Sequence, residues 1–323
     1  YLKLFTTCVI AAGSLNIAAQ PKDGFPDKPI TMVVPYPAGQ SVDSLARMMG
    51  EGLTKYLGQP VIIDNKGGAG GTIGSKYLIR MPADGYTLLF GTASTHVLYG
   101  LMTPKPQYDS IKDFTEIAVV GDAPIVFAVS PGTKGGFKEL IEYARLNPGK
   151  LQYGSAGEGT YLHIVGERLK YEVGNLDIQH IPFRGSAQSI PALIGGQVNM
   201  FTADFAVTLP QVQAGKIRGL AVTSLKRSAA IPELPTVNEA LGIKNYELIA
   251  FFAVFGPAGM PKDAVMKLNK AINEAAKSKE LTDRFASMGF ESQPGSPEAL
   301  SQKIKLETVK WAQAIKAAGM EAE

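Results

Sequence analysis

Cysteine is almost absent from this chain of 323 residues; there is one, Cys8. A single thiol excludes a disulfide framework within the chain. Histidine is nearly as scarce, and His96, His163 and His180 are scattered, so the sequence holds no ligand cluster for zinc. No metal and no cofactor are expected. Excess charge is missing too. Lys and Arg number 32 against 29 Asp and Glu, and the formal charge is only +3. A nucleic-acid surface needs a basic stripe, so nucleic acid is not an expected partner.

A long hydrophobic run is also lacking. The best candidate, residues 4–19, is too short and too polar (Ser14, Asn16) to span a membrane comfortably. It follows Lys3 and ends in small residues at Ala18-Ala19-Gln20, which reads as a targeting segment over 1–20. A chain opening on Tyr1 is expected to lack its first few residues. Cys8 lies inside this run, so the processed protein has no cysteine. The apolar run continues well past Cys8, which disfavours lipid attachment there. An exported, cysteine-free soluble protein fits the bacterial periplasm.

What is present is globular: 45% hydrophobic and 19% charged residues, in a chain long enough for two ordinary domains. Residues 30–34 read as a buried strand, broken by Pro35, Pro37 and Gly39. A helix then starts at Ser41, the expected N-cap, with Asp43 in its first turn. Val42, Leu45, Ala46, Met49, Leu53, Tyr56 and Leu57 mark its apolar face, and Gly58 closes it. A strand feeding a helix through small residues leaves unpaired N–H groups that favour an anion. A second such turn follows strand 151–153, at Gly154-Ser155-Ala156-Gly157-Glu158-Gly159-Thr160.

Strands and helices alternate along most of the chain. Strands are expected at 61–63, 86–90, 117–120, 124–129, 178–181, 198–201 and 220–223, implying parallel sheets with covering helices. A helix is expected over 75–80. The tail is helical at 264–276, 281–288 and 297–318, with no strand to complete a third sheet. It packs most simply on the first domain, so the chain crosses twice, near 125–130 and 249–256. That gives 26–125 plus 253–323 as domain I and 126–252 as domain II. Loops at strand ends, opposed across a double crossover, make a cleft that can close on a small molecule.

Rival motifs fail on spacing. The glycine run 67–74 ends in Gly74-Ser75-Lys76, which misplaces the lysine of a P-loop. Ile73 and Leu162 occupy the third glycine positions of two would-be dinucleotide fingerprints, and Asp177 precedes its strand. Tyr153 replaces the first glycine of a nucleophile elbow at Ser155, and His163 is poorly placed as its base. An exported serine hydrolase using Ser155 stays open as the alternative from another class. Asp43 and Arg47, four residues apart, read as a surface pair.

At this point the sequence closely resembles the solute receptors of tripartite tricarboxylate transporters, the Bug family. The resemblance rests on Val34-Pro35-Tyr36-Pro37-Ala38-Gly39 with Asp43 and Ala46-Arg47, and on Gly70-Gly71-Thr72-Ile73-Gly74. It continues through Pro82-Ala83-Asp84-Gly85-Tyr86, Tyr153-Gly154-Ser155-Ala156-Gly157 with Gly159 and His163, and Pro182-Phe183-Arg184-Gly185. Leu193-Ile194-Gly195-Gly196-Gln197, Leu220-Ala221-Val222-Thr223 and Phe255-Gly256-Pro257-Ala258-Gly259 complete it in family order.

The resemblance implies a two-domain α/β periplasmic-binding-protein fold of the type II kind, with mixed or parallel sheets, two crossover strands and a Venus-flytrap cleft. It implies a monomeric, non-enzymatic receptor that delivers a small carboxylate to membrane permease subunits; a ligand sensor for a signalling partner is compatible with the same fold. The loop carrying Tyr36, Ala38, Gly39, Gln40, Ser41 and Asp43 is similar to the segment that holds a ligand carboxylate through backbone N–H groups and waters. Ser155, Gly159 and Thr160 belong to its counterpart, and Thr92, Ser94, Phe183, Arg184 and Asp204 sit where family members line the cleft. Arg184 offers a charge-assisted bond to a second carboxylate. The chain departs from the family at Gln40, often glycine, at Val42, commonly threonine, and at Tyr161-Leu162, often small and hydroxylic. The stretch 202–208 is one residue longer than usual. Tyr161 and Phe205 suit a flat or aromatic acid if they face the cleft, and otherwise serve as packing.

Overall fold

A computed structural model describes residues 24–320; the expected targeting segment and Cys8 lie outside the described residues. The chain runs β1 (Ile30–Val34), α1 (Ser41–Leu57), β2 (Val61–Asn65), α2 (Thr72–Leu78) and β3 (Thr87–Thr92). A π-helical segment, Ser94–Leu98, merges into α3 (Tyr99–Met102), and β4 (Phe114–Val129) follows. Next come α4 (Phe137–Leu146), β5 (Leu151–Ser155), α5 (Tyr161–Glu172), β6 (Ile178–Pro182), α6 (Ser186–Ile194), β7 (Met200–Asp204), α7 (Phe205–Gln213), β8 (Arg218–Val222) and α8 (Val237–Leu241). The chain closes through β9 (Ile249–Pro257), α9 (Lys262–Lys277), α10 (Lys279–Ser287), β10 (Glu291–Ser292) and α11 (Pro297–Ala317).

The strand order is β2-β1-β3-β9-β4-β7-β5-β6, with β8 and β10 also on β4. β2-β1-β3 and β7-β5-β6 are parallel. The centre is not: β9 runs antiparallel to both β3 and β4, and β7 antiparallel to β4. Of the two arrangements expected, mixed or parallel, the sheet is the mixed one. The two extended runs expected at 117–120 and 124–129 are one strand of 16 residues. Its first part, to Pro124, pairs with β9, and from Ile125 onward it pairs with β7 and β8. At that changeover Thr223 Oγ1 accepts the Ile125 N–H at 2.9 Å and donates to the Leu248 carbonyl at 2.5 Å. In the tail the two-residue β10 joins the existing sheet on β4.

Helix α1 shows how pattern becomes packing. Val42, Leu45, Ala46, Met49 and Leu53 are buried while Arg47 and Glu51 face water. Truncating one of the large members costs about 2–5 kcal/mol. Tyr56, expected on the apolar face, is instead exposed. Gly58 ends the helix at φ 69°, a left-handed conformation suited to glycine, and its N–H reaches the Thr54 carbonyl. Helix α9 packs on α1 and β4, whereas α11 lies on β4 and also touches α5.

Candidate functional site

Loops following β1 and β5 open on one cavity of about 690 Å³. Each loop starts a helix whose first N–H groups have no acceptor within the helix. Gln40, not Ser41, is the N-cap of α1; its backbone is extended, its side chain makes no cap bond, and Ser41 is the first helical residue. Ser41 and Val42 line the cavity. At α5, Thr160 Oγ1 accepts the His163 N–H at 3.3 Å, and Tyr161 and Leu162, the first two helical residues, line the cavity. The positive ends of two helix dipoles thus converge on one space.

Behind the first loop stands Asp43, which is buried and no surface ornament. Its carboxylate accepts the Gly39 N–H at 2.9 Å, the Asn65 side-chain amide at 2.9 Å and Arg47 Nε at 3.0 Å. Burial alone would raise its pKa, but these bonds outweigh it and hold the carboxyl below its ordinary value. The anion that shapes the loop is therefore already neutralised from behind. Tyr36 exchanges a hydrogen bond of 2.8 Å with Thr92 Oγ1. Burial raises its pKa against the pull of Thr92 and Ser94, and the Asp204 charge adds to the rise, so it stays a neutral phenol.

In the second half Tyr161 donates to the Asp204 carboxylate across the cavity wall. Burial and that carboxylate keep Tyr161 protonated well beyond its usual range. Ser155 faces the other way. It is fully buried, and its Oγ bonds His180 Nε2 at 2.7 Å. His163 stacks on His180 with centroids 3.8 Å apart, and its Nδ1 accepts the Gly159 N–H at 3.2 Å.

Of the expected site residues, Tyr36, Gln40, Ser41, Ser94, Gly159, Thr160, Phe183, Arg184 and Asp204 line the cavity. Asp43 and Thr92 act from behind it, Ala38 and Gly39 are exposed on the loop, and Ser155 is enclosed beneath its own loop. Tyr161 is on the wall, whereas Phe205 is core. Sequence reasoning missed two walls. One is the turn 68–72, whose glycines enter the nucleotide motifs and the family resemblance without being assigned to the cleft. The other is Leu98, Tyr99, Met102 and Thr103, which carry no local signal. Among the described residues no cluster of acids or histidines could hold a metal ion, and no helix is long and apolar enough to cross a membrane.

A cleft floored by two helix N-termini and walled by apolar and hydroxyl side chains defines a binding protein for a small anion. Comparison with known proteins gives the class a family. Residues 45–320 match the model described as tripartite tricarboxylate transporter family receptor. Protein BugT of Bordetella pertussis is 33% identical over 299 residues, spanning 92% of this chain and 91% of its own. The structure of R. palustris Rpa4515 with adipate superposes with a TM-score of 0.88 at 33% identity, covering 93% of this chain and 100% of that one. The periplasmic binding protein BugD gives 0.84 at 34% identity, with coverage of 93% and 100%. The chain belongs to the tripartite tricarboxylate transporter receptor family. It has the two-domain fold of periplasmic binding proteins and is a solute-binding protein, not an enzyme.

Proposed function

We propose that this chain is an exported periplasmic receptor that captures a small organic carboxylate and hands it to the permease of a tripartite tricarboxylate transporter. The observation that carries this reading is the convergence of the α1 and α5 N-termini, from opposite halves of the molecule, on one cavity. In the open state the loop at Tyr36–Ser41 takes the carboxylate through backbone N–H groups. Closure of the lobes, 26–125 with 253–323 against 126–252, brings Gly159 and Thr160 onto it. A dicarboxylate and an aromatic acid are the two ligand classes that suit the sequence. The apolar wall of Val42, Leu98, Met102 and Leu162 accommodates the body of either.

The test is a thermal-shift screen of protein stripped of ligand by unfolding and refolding, across aliphatic, aromatic and amino acids. A ligand that binds only the native state raises the melting temperature by mass action. A shift with one acid class and no product formed supports the receptor. Silence across all carboxylates defeats the carboxylate assignment. Loss of growth on that acid when the neighbouring permease is deleted tests delivery.

A further inference from the structure

Charge is unevenly placed around the cavity. Three of its lining residues have acidic or basic side chains: Glu158, Arg184 and Asp204. Glu158 and Arg184 are exposed, whereas Asp204 is partly buried. Screening by salt blunts the first two far more than the third.

Asp204 is also oriented in an unusual way. It closes β7 and is the N-cap of α7, where an aspartate commonly caps the helix, yet its side chain makes no cap bond. Its carboxylate instead accepts from the Tyr161 hydroxyl, and it lies near enough to Tyr36, from the opposite half, to act on that phenol. Tyr161 is the first residue of α5, so the anion-attracting helix start and the carboxylate are joined by one side chain.

The site therefore has two poles. Helix N-termini attract negative charge, and a fixed carboxylate repels it. A plain dicarboxylate satisfies the first pole and places its second charge against the interior acid. Like charges within a few ångströms disfavour the ionised pair, whereas an ammonium gains a charge-assisted hydrogen bond.

We infer that Asp204 makes this cavity select a carboxylate that also carries an ammonium group over a dicarboxylate of the same length. This selectivity presupposes the carboxylate receptor proposed above. An aromatic ring between the two groups remains compatible with the apolar wall.

Calorimetric titration of the refolded, ligand-free chain at neutral pH tests it with matched pairs. Adipate is compared with δ-aminovalerate, in which an ammonium replaces the second carboxylate. Terephthalate is compared with para-(aminomethyl)benzoate, and valerate and benzoate serve as single-charge controls. The expected result is an amino acid bound about tenfold or more tighter than its dicarboxylate partner, with Asp204→Asn reducing the ratio to about twofold or less. The wild-type ratio decides the matter even if the variant folds poorly. Equal or tighter binding of the dicarboxylate overturns the selectivity and leaves the receptor reading intact, as does an unchanged ratio in a folded Asp204→Asn protein. Silence of all six acids overturns the selectivity, while the carboxylate reading itself is decided by the wider thermal-shift screen.

Discussion

Ser155 Oγ and His180 Nε2 lie 2.7 Å apart, the spacing of a nucleophile and its base, yet the serine has no exposed surface. The same Oγ also meets the Gly157 backbone, donating to its carbonyl and accepting its N–H, both at 3.2 Å. The pair staples the second ligand loop from below. Ser155→Ala should leave saturable binding of any ligand found by the screen and lower stability by about 1–2 kcal/mol, the cost of stranding buried partners. Urea unfolding read beside a binding isotherm checks both. Turnover of an ester in the wild type that vanishes in the variant would restore the hydrolase.

The stacked histidines make that staple sensitive to acid. His180 is lowered to about 4, first by burial and then by the neighbouring His163. Burial also lowers His163, with Glu167 pulling it back up and Lys170 pushing it down. Glu158 and Glu167 favour a charged His180, Lys170 opposes it, and the ring of Tyr153 packs against it without charge. The folded state thus binds fewer protons than the unfolded chain between about pH 6.5 and pH 4. Stability should fall as pH drops through that window, and the share due to this pair levels off below it. His96, lowered by burial to about 3, adds in the same direction. A protonated His163 Nδ1 cannot accept the Gly159 N–H, so ligand affinity should fall in parallel. Melting curves between about pH 7.5 and pH 4.5, with His180→Asn as the comparison, isolate this contribution from that of the carboxylates. Identical slopes in the two proteins would remove it.

Asp43 gives the sharpest test of the first loop. Asp43→Ala strips partners from the Gly39 N–H, the Asn65 amide and Arg47 at once. The expected cost is about 2–4 kcal/mol in stability, with ligand affinity down about tenfold because the N–H groups lose their arrangement. The depressed pKa sets the pH range: the stabilisation is complete above the ordinary carboxylate value and is lost only as pH falls through the lower, folded one. Denaturation and binding measured on one preparation separate folding from positioning. Unchanged affinity in a destabilised but folded variant would mean that the loop holds its shape without Asp43.

The two ligand loops were legible because their signals are local. A buried strand that meets proline or glycine and then a helix can do little else, as at Val34–Ser41 and Ser155–Tyr161. The direction of a side chain within such a loop is not local. Ser155 was expected to face the ligand, but its Oγ is claimed by His180, a partner 25 residues away on β6. The choice between a mixed and a parallel sheet stayed open for the same reason. Long buried β4 and β9 read as apolar runs whichever way their neighbours point. Leu98, Tyr99, Met102 and Thr103 line the cavity at and just after a π-helical turn, and no periodicity announces one. Asp204 was placed at the cleft by resemblance, while its link to Tyr161 required the fold.

Gly185 and Gln40 meet across the cleft, and their contact yields a test that separates strain from sterics. Gly185 sits at φ 94° and ψ 157°, a region open essentially to glycine alone. A Cβ there would also lie 2.9 Å from Gln40 Nε2. The clash is cheap, since a flexible amide can swing away, but the backbone cannot relax without moving the loop that carries Phe183 and Arg184. Gly185→Ala should therefore cost about 1–3 kcal/mol and weaken ligand binding. Adding Gln40→Gly removes the clash and leaves the strain, so the double variant should remain weak. Recovery of wild-type affinity in the double variant would assign the loss to the contact between the lobes, making Gln40 a determinant of how far the cleft closes.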